Sequence, residues 1–555
     1  MDDNSTSRLV TEHHAYAPEW YAWRDPEVPD FLNPTALLLD RHVEAGTGDK
    51  VALIVDDRRY SYRELLDLVE RVASGLRGLG LASGARLLMV GTDSVEFVAL
   101  WLAAVRAGAV PVAVSDAVKP EQLGYYLADS DASMLYFDGA HAGKLAAAAG
   151  SGAVLPPVRL MRGSATVALP EQTGGVLVDF DTLTRATWPK VAPVLRHAND
   201  VAYMLYSGST TGPAKGVTHL THDFVLVPER HGAFWEYTLD DVVHATSKKY
   251  FTHGLWPGVL IPLYWGATSV VSGEPASGAN VVGIVERHRP TKLITVPTTV
   301  NEILWYSEET GRTPDFSSVG LVVTASEQVP TEMAVRFRRL FGLELMDSIG
   351  SSEVTYEWIA NRQRDHKHGT LGRPVFGFEV KLVGADGEEV VEPGAAGEAW
   401  VRSRTACLYY WRKFDESRKT FVGPWTRTGD MLTLTTDGYF AFVGRRDDLF
   451  KVSGMWVSPL EVEAAIAESP SVHEVAVVGA AGSSGLTKPN AFVVLRSGCD
   501  PCHELTEELR ARVREIGGYK VPDEIVYLDA LPRTPLMKID RRALRAGVGE
   551  VVRQH

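Results

Sequence analysis

The stretch Tyr206-Ser-Gly-Ser-Thr-Thr-Gly-Pro-Ala-Lys-Gly-Val-Thr-His219 decides how the rest of this chain is interpreted. An apolar run, Val201 to Leu205, precedes it and predicts a β-strand that ends in a glycine-rich loop. The glycines let backbone N–H groups approach a ligand closely, the hydroxyls add donors, and Lys215 adds a positive charge. This chemistry suits phosphate. No Lys-Ser or Lys-Thr pair follows Gly212, so the loop is not of the Walker type, and a flexible linker is the alternative.

The composition is that of an ordinary soluble protein with at least two domains. Its 555 residues exceed what one core supports, and 45% of them are hydrophobic and 23% charged. A formal net charge of −14 argues against a nucleic-acid or anionic-membrane partner, because such partners need basic patches. Any anionic ligand must therefore meet local positive charge and backbone amides.

Neither a targeting signal nor a disulfide framework is expected. Met1 to Val10 lacks a basic and an apolar region, which predicts a cytoplasmic protein. The apolar segment Phe97 to Val114 is interrupted by Arg106 and Pro111, which favours a buried helix and strand over a membrane span. Three cysteines occur, and the lone C-x-x-C of Cys499-Asp-Pro-Cys502 is interpreted as a chance spacing on a polar loop.

Strand-like and helix-like segments alternate in the first part of the chain, which predicts a parallel sheet with helical crossovers. The predicted elements are strands at 51–55, 86–90 and 110–114 and helices at 61–79 and 94–106. A helix-like segment opens at Lys249 and runs to Leu263. After Gly444 the pattern predicts a small α+β domain. The predicted fold class is α/β: a large N-terminal domain of parallel-rich sheets with flanking helices, and a small α+β C-terminal domain.

Further motifs follow the glycine-rich loop in order. They are Thr324-Ala-Ser-Glu-Gln328, Met346-Asp-Ser-Ile-Gly-Ser-Ser-Glu-Val354, Arg427-Thr-Gly-Asp430 before a hairpin-like Gly438 to Arg445, Lys451-Val-Ser-Gly454, and Leu531-Pro-Arg-Thr-Pro-Leu-Met-Lys-Ile-Asp-Arg541. Together they resemble the acyl-adenylate-forming superfamily of acyl-CoA ligases, luciferases and nonribosomal-peptide adenylation domains, most closely its benzoate-CoA ligase branch. The chain departs from the family pattern at Gly208, Ala214, Ser326, Ile349 and Met537.

The resemblance implies a nucleotide site. Lys215, Glu353 and Lys538 would be catalytic, with Glu353 holding Mg²⁺. Asp347 would accept from the adenine amino group, Asp430 would bind the ribose hydroxyls, and Arg445 would reach the nucleotide. The remaining ATP or AMP contacts would be Ser207, Ser209, Thr210, Thr211, Gly212, Ser326, Glu327 and Ser352.

An acyl pocket is implied beside this site. Its lining would comprise Phe251, Thr252, His253, Ser348, Gly350 and Tyr356. The aromatic side chain of Phe251 suits a flat aryl acid. Glu357 would hydrogen-bond a ring hydroxyl or amino group there, or would face solvent.

Residues 1–443 are predicted to form the adenylating domain, 444–448 the hinge and 449–555 the mobile domain. Asp447 would be the hinge residue, and Lys451 and Gly454 would line the thiol tunnel. After adenylation the small domain would swing, withdraw Lys538 and admit a thiol.

The leading functional hypothesis is activation of an aryl acid, a substituted benzoate, with ATP and Mg²⁺, followed by transfer to the thiol of CoA. The first alternative loads the phosphopantetheine arm of a separate carrier protein. The second is a nucleotide-binding homologue that has lost catalysis. The sequence leaves the acid, the acceptor and the oligomeric state open, and a homodimer is one option.

Overall fold

The computed structural model describes residues 6–12, 15–165, 169, 175–208, 213–326, 329–452, 455–481, 487–534 and 539–551. Four predicted site residues of the glycine-rich loop, Ser209 to Gly212, lie outside these ranges, as do Glu327, Gly454 and Lys538.

The first sheet is parallel except for the hairpin at one edge. Its strands, in spatial order, are Lys215–Leu220, Val201–Ser207, Val110–Val114, Arg86–Val90, Met134–Asp138, Val158–Arg162 and Val176–Asp179. The antiparallel pair at the edge, Val201–Ser207 with Lys215–Leu220, carries the two ends of the glycine-rich stretch.

The second sheet has a parallel centre and antiparallel margins. Its strands, in spatial order, are Arg373–Pro374, Glu357–Ala360, Leu345–Gly350, Leu321–Thr324, Lys292–Thr295, Val242–Ala245, Thr268–Val271, Val51–Val55 and Arg58–Ser61. Leu345–Gly350 pairs in parallel with Leu321–Thr324 and antiparallel with Glu357–Ala360. The motif that begins at Thr324 and the motif that begins at Met346 therefore lie on neighbouring parallel strands.

A third, antiparallel sheet follows, and smaller sheets occupy the ends of the chain. The third contains Glu389–Val390, Glu379–Val383, Ala396–Arg402, Trp425–Leu434 and Phe421–Val422, with Phe440–Arg445 paired to Trp425–Leu434. The smaller sheets are Phe31–Leu32 with Arg196–His197, Phe450–Val452 with Met455–Val457, and Val472–Ala481 with Thr487–Leu495 and Glu524–Tyr527.

Helices cover the sheets. The α-helices are Arg8–Glu12, Pro18–Ala22, Arg41–Glu44, Tyr62–Gly78, Val95–Arg106, Pro120–Ser130, Ala142–Gly150, Phe180–Arg185, Asp223–Phe234, Thr252–Leu255, Ile261–Trp265, Gly278–His288, Pro297–Thr310, Thr331–Phe341, Phe414–Thr420, Pro459–Ala467, His503–Ile516 and Arg541–Val551. Shorter 3₁₀ turns are Gly139–His141, Ser352–Val354 and Gly518–Lys520, and π-helical turns are Ala36–Asp40 and Trp256–Leu260.

The predicted α/β fold, with its parallel-rich sheets and smaller C-terminal domain, is confirmed. The prediction that a helix opens at Lys249 is wrong, since helical structure begins at Thr252. Lys249 instead lies buried before it, with Nζ 3.4 Å from Asp93 Oδ2. That ion pair holds the residue in the connecting segment.

The apolar segment from Phe97 to Val114 forms a buried helix and strand, as predicted. Arg106, which interrupts it, is 2% exposed, and its guanidinium lies 2.8 Å from both Asp40 Oδ2 and Glu70 Oε1. Burying this charge is tolerable because both partners are acidic. Among the described residues, no helix combines the length and apolar character that a membrane crossing requires.

Candidate active site

The glycine-rich stretch joins two strands of a β-hairpin. Ser207 ends the first strand, and its Cα partner across the hairpin is Lys215, the first residue of the second strand. Met204 and Leu205 also pair with the inner strand Val110–Val114, so the hairpin is continuous with the first sheet. This arrangement fixes Lys215 at a sheet edge.

Tyr410 comes to that edge from a distant part of the chain. It forms an isolated antiparallel bridge with Val217, and Trp411 N donates to Gly216 O at 2.7 Å. A Cβ at Gly216 would lie 2.8 Å from Met204 Sδ and 3.1 Å from Trp411 Cβ. Glycine after Lys215 is therefore required for the close approach that brings in Tyr410.

Lys215, Tyr410 and Glu353 form one cluster, called here the phosphate cluster. Lys215 Nζ lies 4.8 Å from the centroid of the Tyr410 ring, and Tyr410 Oη donates to Glu353 Oε1 at 2.9 Å. Burial, and then the charge of Glu353, raise the pKa of Tyr410 above its ordinary value, so its hydroxyl remains a donor at neutral pH. The structure thus brings together two of the three predicted catalytic residues.

His219 fastens the hairpin to the turn that carries Glu353. This buried ring has Nε2 2.7 Å from Ser352 O and Nδ1 3.0 Å from Asp223 Oδ2, and it stacks on Tyr203. Because Ser352 O can only accept, Nε2 carries a proton and donates to it. His219 thereby positions the backbone next to Glu353.

Thr355 follows the same turn in a strained conformation. Its φ is 84° and ψ −56°, close to the rare γ-turn, which a β-branched residue adopts only under constraint. The constraint is visible, since its buried hydroxyl donates to Thr405 O at 2.6 Å and lies 3.1 Å from His219 Nδ1. Strain next to Glu353 is consistent with a functional turn.

Glu353 fits a magnesium ligand. One carboxylate oxygen is held by Tyr410, and the other accepts no hydrogen bond from the described part of the chain. Mg²⁺ binds proteins through one or two carboxylates and completes its shell with water and substrate phosphate oxygens. The donor set here suits that mode, with Lys215 next to it for the same phosphates.

Asp430 and Arg445 face each other in the third sheet. They are Cα partners in the pair Trp425–Leu434 and Phe440–Arg445, with Arg445 Nε 3.1 Å from Asp430 Oδ1. The charge of Asp430, with a smaller contribution from Glu353, raises the pKa of Arg445. The prediction that Arg427 to Asp430 precedes a hairpin is corrected, because these residues lie within its first strand. Pairing across the strands explains how the two motifs meet.

Asp347 is buried at the end of the parallel strands. It is 7% exposed and accepts from Ser348 N at 3.0 Å, Val329 N at 3.3 Å and Thr324 Oγ1 at 3.4 Å. Burial outweighs these donors and raises the pKa of Asp347 to about 7. Ser348 donates its own hydroxyl to Thr324 O at 2.8 Å, so this part of the site is rigid.

The raised pKa of Asp347 predicts a pH-dependent free energy of unfolding. An unfolded Asp loses its proton near pH 4, whereas folded Asp347 keeps it to about pH 7, so stability falls as pH rises through this interval. Asp347→Asn should remove this component and stabilise the protein at pH 8 by about 1 to 4 kcal/mol. Urea unfolding of both proteins at pH 5 and pH 8 measures the difference. An equal pH dependence in the two proteins would contradict the assignment.

Ser326 occupies a backbone conformation that favours glycine. Its φ is 75°, in the left-handed region, where a side chain costs about 1 to 2 kcal/mol. We therefore expect Ser326→Gly to stabilise the fold by about 0.5 to 1 kcal/mol. The gain is smaller than the relieved strain, because glycine loses more conformational entropy than serine when the chain folds. Ser326→Ala is the control, because it removes the hydroxyl but keeps the Cβ. Thermal unfolding should separate them, and equal midpoints would refute the strain.

Three of the predicted acyl-pocket residues, His253, Gly350 and Tyr356, lie next to Glu357. His253, on the helix Thr252–Leu255 that follows Phe251, has Nδ1 2.7 Å from Glu357 Oε1 and Nε2 3.0 Å from Thr295 O. Glu357 is 1% exposed, so the option that it faces solvent is wrong. Tyr356 packs on His253 with ring centroids 6.0 Å apart. Gly350, the Cα partner of Glu357, closes the strand pair.

The small C-terminal part holds the remaining predicted residues. Asp447 lies in the connection after Phe440–Arg445, and Lys451 is exposed in the strand Phe450–Val452. Arg533 and Ile539, on either side of the region that contains Lys538, form an isolated bridge. Arg541 Nη2 donates to Glu463 Oε2 at 3.1 Å. Cys502 Sγ accepts from Leu505 N at 3.4 Å and caps the helix His503–Ile516.

Sequence reasoning missed Tyr410, His219 and Thr355 as site residues. His219 ends the glycine-rich stretch, and its alternation with apolar neighbours in a strand was the available signal. Tyr410 and Thr355 carry no local signal, because a bridge to Val217 and a strained φ are properties of the folded chain.

Family models match most of the chain. A family model described as AMP-binding enzyme matches residues 39–411, and one described as AMP-binding enzyme C-terminal domain matches residues 461–538. A 4-hydroxybenzoate–CoA/benzoate–CoA ligase of Rhodopseudomonas palustris is 35% identical over 517 residues, covering 92% of this chain and 94% of that protein.

Two solved structures are also similar. The anthranilate CoA ligase AuaEII in complex with anthranoyl-AMP has a TM-score of 0.86 at 30% identity, covering 94% of this chain and 98% of that one. A benzoate CoA ligase from Burkholderia xenovorans LB400 has a TM-score of 0.81 at 31% identity, covering 93% and 100%.

Proposed function

This chain belongs to the AMP-binding enzyme family, and we propose that it activates an aryl carboxylic acid, a substituted benzoate, to an acyl-adenylate and then transfers the acyl group to the thiol of CoA. The observation that carries the proposal is the phosphate cluster of Lys215, Tyr410 and Glu353, next to the facing pair Asp430 and Arg445. The relatives named for benzoate, hydroxybenzoate and anthranilate support an aryl substrate.

In the first step a carboxylate oxygen attacks the α-phosphorus of ATP, and the bond to the bridging oxygen breaks to release pyrophosphate. Lys215 would neutralise phosphate charge from the sheet edge, and Asp430 would accept from the ribose hydroxyls. When bound at Glu353, Mg²⁺ would offset the charge of the phosphate oxygens. Lys538 would stabilise the charge that develops at the α-phosphorus.

In the second step the sulfur of a thiol attacks the acyl carbon, the acyl–phosphate bond breaks, and AMP leaves. We propose that residues 444–448 act as a hinge, with Asp447 at its centre, and that the small domain presents Lys451 and Gly454 to the thiol. The cores support this boundary, because the largest buried cluster extends to Phe440 and a separate one starts at Val452. Separate apolar cores are what a rotation at this connection requires.

A pyrophosphate-release screen tests the proposal. Purified protein, ATP and Mg²⁺ are combined with substituted benzoates, heteroaryl acids and fatty acids, and aryl acids should give the highest kcat/KM. Product analysis with CoA and with candidate carrier proteins then identifies the acceptor. If none of the acids in the panel gives pyrophosphate release, the proposal is rejected and a homologue without catalysis is favoured.

A further inference from the structure

Three buried side-chain oxygens near His253 have no hydrogen-bond partner in the described part of the chain. They are Tyr356 Oη, Glu357 Oε2 and Tyr237 Oη, on residues that are 1%, 1% and 4% exposed. Buried polar atoms are almost always hydrogen-bonded, because desolvation without a partner costs stability. Several such atoms in one place indicate a missing polar partner.

The three groups influence one another electrostatically. Burial raises the pKa of Tyr356, and the charge of Glu357, the neighbouring Tyr237 and a side-chain interaction with Glu357 add to the shift. Burial also raises the pKa of Tyr237, with contributions from Asp241 and Glu357. The three side chains are therefore close enough to share one electrostatic environment, and Glu357 contacts His253 of the helix that begins at Thr252.

The positions of the protons on His253 and Glu357 determine whether Glu357 Oε2 donates or accepts a hydrogen bond. His253 Nε2 faces the carbonyl of Thr295, so it must carry a proton, and one further proton lies between Nδ1 and Glu357 Oε1. If that proton belongs to His253, Glu357 is a carboxylate. If it belongs to Glu357 Oε1, the acid is neutral. In both arrangements Oε2 can only accept. The adjacent Tyr356 hydroxyl interacts with this carboxyl and can serve as one donor, and the second lone pair of Oε2 leaves room for a further donor.

The second oxygen that a ring substituent can contact is Tyr356 Oη. Its hydroxyl can donate and accept, and its ring is held between His231 and Trp235, with centroids 4.8 Å and 5.9 Å away. A ring hydroxyl can donate to Glu357 and accept from Tyr356, and an amino group can donate to both. A methyl or halogen substituent cannot donate a hydrogen bond to Glu357 Oε2 or Tyr356 Oη. A second carboxylate on the ring would repel the acceptor oxygen of Glu357.

We propose that Glu357 and Tyr356 select an aryl acid whose ring carries a hydrogen-bond donor, a hydroxyl or an amino group. The inference rests on the proposed function and deepens it by naming the substituent. The buried pair with His253 positions the Glu357 carboxyl so that Oε2 is directed to the substituent. A site built to hydrogen-bond a substituent discriminates strongly against analogues without it, because its own buried atoms are then left unpaired.

The experiment measures kcat/KM for pyrophosphate release with matched acids. Hydroxy- and aminobenzoates are compared with benzoate and with methyl- and fluorobenzoates of the same substitution pattern. The wild type should prefer the best donor acid by about 10²-fold over its methyl analogue. Glu357→Leu should remove this preference, mainly through a higher KM for the donor acid. Glu357→Gln should retain much of it, because the amide oxygen remains an acceptor.

Tyr356→Phe provides a second test that does not depend on tolerance of Glu357→Leu. Its buried hydroxyl forms no hydrogen bond of normal geometry with the described residues, so its removal should not lower the thermal midpoint and should reduce the preference by about 10-fold. Tyr16→Phe is the matched control. Tyr16 Oη donates to Val380 O at 2.9 Å, and Tyr16 is not one of the proposed site residues. This control variant should lower the midpoint and leave the preference unchanged.

The outcomes separate this inference from the proposed function. No release with any acid rejects the function itself. Release with aryl acids but equal kcat/KM for donor and methyl analogues overturns the inference alone, and would mean that ordered water occupies the region. An equal loss for all acids in both Glu357→Leu and Tyr356→Phe would also overturn it, because it indicates a structural role.

Discussion

Lys538→Ala should slow acyl-adenylate formation by about 10²- to 10³-fold, the usual effect of removing one preorganised charge donor. Transfer from preformed acyl-adenylate to CoA should be largely spared, because no charge develops at the α-phosphorus in that step. The assignment of Lys538 comes from the family resemblance, since the residue lies outside the described ranges. Its chain neighbours Arg533 and Ile539 pair with each other, and Arg541 binds Glu463, so the segment has fixed ends.

The measurement is ATP–pyrophosphate exchange with the best acid, alongside thioester formation from synthetic acyl-adenylate. Lys488→Ala, in the strand Thr487–Leu495 of the same domain, is the control for a lost lysine charge. It should leave both rates unchanged. Normal exchange in Lys538→Ala would mean that another residue carries the charge, and equal slowing of both steps would indicate misfolding of the domain.

Glu353→Gln is expected to reduce adenylation by about 10²- to 10³-fold and to shift its Mg²⁺ dependence to higher concentrations. Gln keeps the size of the side chain and an acceptor for Tyr410, which donates to Glu353 Oε1 at 2.9 Å. It removes the negative charge that a hard cation requires. The loss of adenylation activity should therefore result from weaker Mg²⁺ binding and not from a change in the conformation of the turn that carries Glu353.

Tyr410→Phe tests how Glu353 is held. The ring stays beneath Lys215 while the hydroxyl that orients the carboxylate is lost, and outer groups of this kind contribute about 10- to 100-fold. Exchange rates as a function of Mg²⁺ concentration, with thermal midpoints as the folding control, compare the two variants. An unchanged Mg²⁺ dependence in Glu353→Gln would remove Glu353 from the metal site.

Much of the fold followed from local pattern. The strands Val51–Val55, Arg86–Val90 and Val110–Val114 have the predicted bounds, and Ser61 caps Tyr62–Gly78 with a full capping box. Apolar periodicity and capping are encoded by neighbours in sequence. The motif order was enough to predict the family.

The site was predictable only in part. Lys215, Glu353, Asp430 and Arg445 were identified by motif, yet their spatial relation depends on strand pairing that no motif encodes. Glu357 could have faced solvent on sequence grounds, and its burial against His253 depends on two elements that are 104 residues apart. Ser326 appeared as a departure from glycine, while the positive φ that gives the departure a cost is visible only in the structure.

Local chemistry in the chain was therefore sufficient for many of the elements, for the family and for the kind of reaction. The folded chain alone decided that Tyr410 joins Lys215 to Glu353 and that His219 anchors the turn. It also decided that three buried oxygens form no hydrogen bond with the described residues. The reason is physical. Propensity, capping and periodicity act over a few residues, whereas burial and hydrogen-bond satisfaction depend on which distant segments pack together.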